Sequence, residues 1–160
     1  MEDHIASIVK KSCQPINVDR NTVTLRSLIC LYKKGVDITK HPDVCFVGED
    51  GMHASGPGWE YFHLIMSILA RGDHSLHLFE GEDGHLVPVH SMDNLESGLY
   101  YYAGLMIAHS VLHHGFPLIG MSPAVVEYII IGSIEYAMPM MSIKDVPNLE
   151  IRNVIEMVLL

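Results

Sequence analysis

Apolar residues recur at helical spacing in several stretches of the chain. Leu25, Leu28, Ile29 and Tyr32 fall at i, i+3, i+4 and i+7, which predicts a first helix capped by Asn21 or Thr22. Lys33 and Lys34 suit its C-terminal dipole, and Gly35 ends it. Val44-Cys45-Phe46-Val47 reads as a short buried strand, closed by Gly48-Glu49-Asp50-Gly51. Gly56-Pro57 opens a second helix, because a proline in the first turn gives up an N–H that lacks a partner there anyway. Trp59, Phe62, Met66 and Leu69 mark its expected buried face, and Gly72 its end.

Residues 76–80 and 85–90 read as the strands of a hairpin through Gly81-Glu82-Asp83-Gly84. The Gly-Glu-Asp-Gly quartet occurs at 48 and at 81, too short for a repeat, and predicts two solvated acidic turns. Asp93-x-x-Glu96 has the form of a capping box and predicts the longest helix, running to Gly115. That helix is apolar nearly all round, so it belongs in the core, with Gly98 and Gly104 letting neighbours close. Ser122-Pro123 predicts a helix through Ile131, stopped by Gly132, and Ser142 and Asn148 are further caps. Ile151, Val154, Ile155 and Val158 line one face of a last helix. It stops on Met157-Val158-Leu159-Leu160 without a cap or polar tail and reads as cut rather than finished. Residues 1–20 show weak periodicity and read as a lead-in tail to a domain over 21–160.

Composition narrows the function classes. A chain of 160 residues fits one domain better than two. Ten basic residues against nineteen acidic ones give a net charge of −9, the wrong sign for nucleic-acid binding. The longest apolar run, 98–112, falls short of the roughly 20 residues that span a bilayer, so no membrane is expected. Cys13, Cys30 and Cys45 form no C-x-x-C pair and suit a reducing compartment, cytoplasmic or nuclear.

Candidate chemistry is sparse. His109 and His113 lie four apart on a predicted helix, yet no H-E-x-x-H surrounds them, and helix-end histidines account for His113 and His114. Ser122 sits in Gly120-Met121-Ser122-Pro123-Ala124, which lacks the final glycine of a nucleophile elbow and reads as an N-cap. Cys30 and Cys45 read as small buried hydrophobes. Phosphate-binding and dinucleotide-binding glycine motifs are missing. The residues thus predict no complete catalytic site, no metal and no cofactor.

The stretch Val44-Cys45-Phe46-Val47-Gly48-Glu49-Asp50-Gly51-Met52-His53-Ala54-Ser55-Gly56-Pro57-Gly58-Trp59-Glu60-Tyr61-Phe62 resembles the hallmark near the start of HECT ubiquitin-ligase domains, V-x-F-x-G-E-x-G-x-D-x-G-G-P-x-R-E-F-F. Leu78-Phe79-Glu80, the helix at 100–109 and residues 118–128 follow in the order of that family. Residues 81–89 and 95–113 look most like its branch around the G2/M-phase-specific ubiquitin-protein ligase. The resemblance covers about residues 22–160 and rests on Val44, Phe46, Gly48, Glu49, Gly51, Gly56, Pro57, Glu60 and Phe62 as structural motif positions. His53, Ser55 and Trp59 depart from it, standing where the family has Asp, Gly and Arg.

The resemblance implies an α+β, mainly helical N-lobe with a few short strands, one pair of them a β-hairpin. It places the ubiquitin-accepting cysteine in a C-terminal lobe and the conjugating-enzyme-binding subdomain after the matched region. The expected role is a scaffold, meeting ubiquitin and a ubiquitin-conjugating enzyme through the full-length protein and touching the C-terminal HECT lobe. The alternative is a degenerate, non-enzymatic module that binds ubiquitin or a ligase partner. Parallel strands sandwiched by crossovers would speak against both.

Overall fold

The computed structural model describes residues 7–49, 56–114 and 116–158. The fold is α+β and mainly helical, with two small sheets. In order come β1 (Lys10–Val18), α1 (Leu25–Lys33), β2 (Lys40–Phe46), α2 (Gly56–Arg71), β3 (Phe79–Glu82) and β4 (His85–Pro88). Then follow α3 (Met92–Glu96), α4 (Leu99–His114), α5 (Pro123–Ile131), α6 (Ile134–Ala137), two 3-10 turns (Met138–Met140 and Ile143–Asp145) and α7 (Leu149–Val158).

The expected lead-in tail contains a strand. β1 pairs with β2 in parallel, Ile16 opposite Val44 and Val18 opposite Phe46, and α1 is the crossover between them. Ile16 and Val18 point into the core. The strand was hidden because only these two inward positions are apolar, and Pro15 lies between Gln14 and Ile16. Proline is tolerated on a strand whose outer edge needs no N–H, and each strand of a two-stranded sheet has such an edge. The parallel sheet stops at these two strands among the described residues; β3 and β4 form a separate, antiparallel two-stranded sheet.

α1 begins two or three residues later than the sequence suggests. Thr24 is its cap, exchanging hydrogen bonds with Ser27, and Asp73 accepts from the N–H of Leu25 at 2.8 Å. Burial opposes the Asp73 charge, but donors from Ser75, Leu25 and Leu76 outweigh it and hold the carboxyl below its usual range. The predicted stripe Leu25, Leu28, Ile29 and Tyr32 is buried. It meets Tyr61, Phe62, Ile65 and Leu69 of α2 and Met106 of α4 in a single core.

The longest predicted helix is two helices. Ser91 caps α3, and Gly98 breaks the run with φ +67 before α4 starts at Leu99. Among the described residues nothing lies within 4 Å of where a Cβ on Gly98 or Gly104 would stand, so neither serves close packing there. Close approaches occur at other glycines: a Cβ on Gly72 would meet His77, one on Gly81 would meet the His85 carbonyl, and one on Gly120 would lie 2.9 Å from the Cα of Gly84 in the hairpin turn. There Leu86 and Met121 bridge, with Leu86 N donating to Gly120 O at 2.6 Å. α5 runs as predicted from Ser122 to a left-handed Gly132. Asn148 caps α7 through the N–H groups of Glu150 and Ile151.

Candidate functional site

β2 delivers Phe46 to the core and then turns at Gly48, whose φ of +84 suits a residue without Cβ. Glu49 follows on the surface. Gly51, together with His53 and Ser55, lies outside the described residues. Gly56 and Pro57 begin α2, placing Glu60 on its outer face and Phe62 inside.

Arg20 joins these pieces. It follows β1, and its Nε donates to Glu49 Oε1 at 2.6 Å while Nη2 reaches Glu60. The guanidinium also lies over the Phe46 ring, 3.6 Å from its centroid. The Glu60 hydrogen bond, ahead of that from Glu49, raises the Arg20 pKa against burial. Three motif positions, Phe46, Glu49 and Glu60, therefore meet on one cation. Sequence reading passed over Arg20 because it sat in the supposed tail. Its only signal was a lone arginine two residues after the Ile16-x-Val18 alternation.

Val44 is half-buried on β2, and Val47 is exposed rather than part of the strand. Phe62 points away from Arg20, edge-on to His109 with centroids 4.9 Å apart. Trp59 does not join the buried face. It is 48% exposed, stacked on His63 and edge-on to Phe116, each at 5.5 Å. One turn of helix separates Trp59 and His63, so the pair shares one exposed side of α2.

A second cluster lies inside. His109 Nδ1 and the Tyr32 hydroxyl share a hydrogen bond of 2.9 Å. The Tyr61 hydroxyl faces that of Tyr32, and His109 Nε2 points toward the Lys40 carbonyl, neither closing a bond of ordinary geometry. Burial pushes Tyr61 up to about 12 and lowers His109 to about 4, His113 adding to the latter. His113 donates from Nε2 to Ile38 O at 3.0 Å. The i, i+4 histidines are thus used by the core. Among the described residues no group of three His, Cys, Asp or Glu side chains is placed to hold a metal ion.

The second acidic turn is not simply solvated. Glu82 pairs with Arg152 of α7, and Lys144 stands 3.9 Å away. His85 donates to Asp145 at 2.9 Å. Ser122, buried, caps α5 through the N–H of Ala124 and also bonds Asp145. Burial opposes the Asp145 charge, yet Ser122, Ser142 and His85 together hold it below the usual carboxylate range.

All three cysteines are exposed, including Cys30 and Cys45. Strand alternation turns Cys45 away from its neighbours Val44 and Phe46, and Cys30, between Ile29 and Tyr32, falls off the buried stripe of α1. Cys30 lines an open cleft of about 580 Å³ with Asp19, Thr22, Arg26, Ser27 and Lys34. No helix among the described residues is long and apolar enough to cross a membrane. The chain matches no protein-family model and no curated protein.

Proposed function

We propose that this fold is the scaffold part of the N-lobe of a HECT-type ubiquitin-protein ligase. It holds other lobes in place and leaves the thioester step to polypeptide outside this chain. The observation that carries the reading is the convergence of Phe46, Glu49 and Glu60 on Arg20. Three of the residues that carry the resemblance in sequence thus share one cation, which ties the end of β2 to α2. The parallel β1–β2 pair has the single crossover α1, and the other sheet among the described residues is antiparallel, so the topology is compatible with this reading.

In such a ligase ubiquitin and its conjugating enzyme are met through the full-length protein, in the cytoplasm or nucleus. The test is a ubiquitin-loading gel with activating and conjugating enzymes. The expected result is no reducible adduct. Because Cys13, Cys30 and Cys45 are all exposed, burial would not explain its absence. An adduct on any of them overturns the reading.

A second reading is favoured by one observation. The helices after Ser122 leave a broad apolar surface in solvent, which suits a non-enzymatic module that binds ubiquitin or a ligase partner. Titrating isotope-labelled ubiquitin with the chain separates the two. Shifts confined to one ubiquitin face support the module, and an unchanged spectrum supports the scaffold. Downstream coding sequence bearing a Thr-Cys lobe also favours the scaffold.

A further inference from the structure

Residues 116–143 contain no lysine, arginine or histidine; Glu127 and Glu135 are their only charges. They build α5, α6 and the first 3-10 turn, which pack on one another. That packing buries Ala124 and Ala137 but leaves large side chains out. Ile129, Ile130 and Ile134 are 66%, 69% and 65% exposed, with Tyr136 and Met138 beside them in the sequence also mostly in solvent. Consecutive exposed isoleucines gain nothing for the isolated fold and cost hydration, which marks a surface meant to be covered.

The charges decide by what. Neither Glu127 nor Glu135 is in an ion pair among the described residues, and the nearest cations along the chain, Lys144 and Arg152, both face Glu82. A second copy would bring the same carboxylates and another net −9 to the contact. An anionic lipid surface is repelled for the same reason. An apolar stripe flanked by lysine or arginine satisfies both features, and the flexible methionine adapts to its shape. We infer that the α5–α6 surface docks a basic amphipathic helix of another polypeptide, with its apolar stripe on the isoleucines and its cations toward Glu127 and Glu135. This does not depend on the ligase reading.

The test titrates the whole chain against two labelled model helices with the same leucine stripe, one flanked by lysine and one by glutamate, followed by fluorescence anisotropy. The lysine helix is expected to bind at least about tenfold more tightly, with the difference shrinking as salt rises. Glu127→Lys with Glu135→Lys should reverse the preference. Ile130→Asp should weaken the lysine helix about tenfold although it adds a negative charge, which separates docking from general attraction to an acidic protein. Circular dichroism and the urea midpoint check that these exposed substitutions leave the fold intact. Equal binding of both helices overturns the inference, as does binding insensitive to Ile130→Asp. So does a stable dimer in light scattering that competes with the peptide, or cosedimentation with anionic vesicles.

Discussion

The Tyr32 hydroxyl lies 2.9 Å from Nδ1 of His109, so that α1 and α4, far apart in sequence, are joined by one buried polar contact. Burial, reinforced by His113, lowers His109 to about 4, against 6.5 in an unfolded chain. Between those values the unfolded state binds a proton that the folded state does not, so stability rises with pH through the window and is lost as pH falls through it. The chain should be about 2 kcal/mol less stable at pH 5 than at pH 7 from this group alone. Urea titrations at both values read it. The double variant Tyr32→Phe, His109→Leu removes both partners together and should flatten the difference; an equal pH dependence in the variant would falsify the assignment.

Arg20 is part-exposed, so its two ion pairs are screened and contribute modestly, while its face on Phe46 adds a cation–π contact. Arg20→Ala is expected to cost about 1–2 kcal/mol. Arg20→Lys should recover only part, because an ammonium cannot lie flat on the ring while reaching two carboxylates. Most of the loss should persist at high salt if the ring contact dominates. Complete loss of the effect in salt would assign it to the ion pairs.

What the sequence disclosed follows the strength of each local signal. Leu25, Leu28, Ile29 and Tyr32 carry a full helical period, and Ser122-Pro123 with Gly132 punctuates both ends of α5. β1 carries only two inward apolar residues and a proline, and its partner is distant in sequence, so nothing local announces it. Gly98 inside an apolar run looks like a packing position, but its left-handed backbone makes it a stop. Glu49 and Glu60 were visible as motif positions. Their shared cation was not, because a salt bridge between exposed side chains leaves no periodicity. Arg152 sits on the side of α7 turned toward Glu82, which a hydrophobic pattern cannot foresee.

Two glycines should respond to alanine with opposite signs. Gly104 lies in the exposed middle of α4 with helical neighbours on either side, and a Cβ there meets nothing within 4 Å among the described residues. Gly104→Ala should stabilise the chain by about 0.5–1 kcal/mol through the entropy of the unfolded state. Gly120 has φ +90 and backbone of Gly84 2.9 Å from where its Cβ would stand. Gly120→Ala should destabilise by about 1–3 kcal/mol and loosen the Leu86–Met121 bridge. Thermal melts of the two variants settle the signs.

α7 is held by its polar side. Arg152 is buried, its Nη2 donating to Val146 O at 2.8 Å and its Nη1 to Glu82, while Ile151, Val154 and Val158 stay exposed. The helix therefore has little apolar burial to fall back on, and removing the guanidinium should release it alone. Arg152→Met keeps most of the side-chain volume but none of the donors, so it tests the hydrogen bonds rather than the packing. Hydrogen exchange should show protection lost across 149–158, with α2 and α4 unchanged. Acid should act in the same direction. Arg152 first, then Lys144, hold Glu82 below its ordinary value of 4.5. A depressed carboxyl contributes stability above its unfolded value and loses it as pH falls. Protection of α7 should accordingly fade below about pH 4.5 in the wild type and be weak at every pH in Glu82→Gln. Uniform loss of protection across α2, α4 and α7 in Arg152→Met would instead make α7 part of the global unfolding unit.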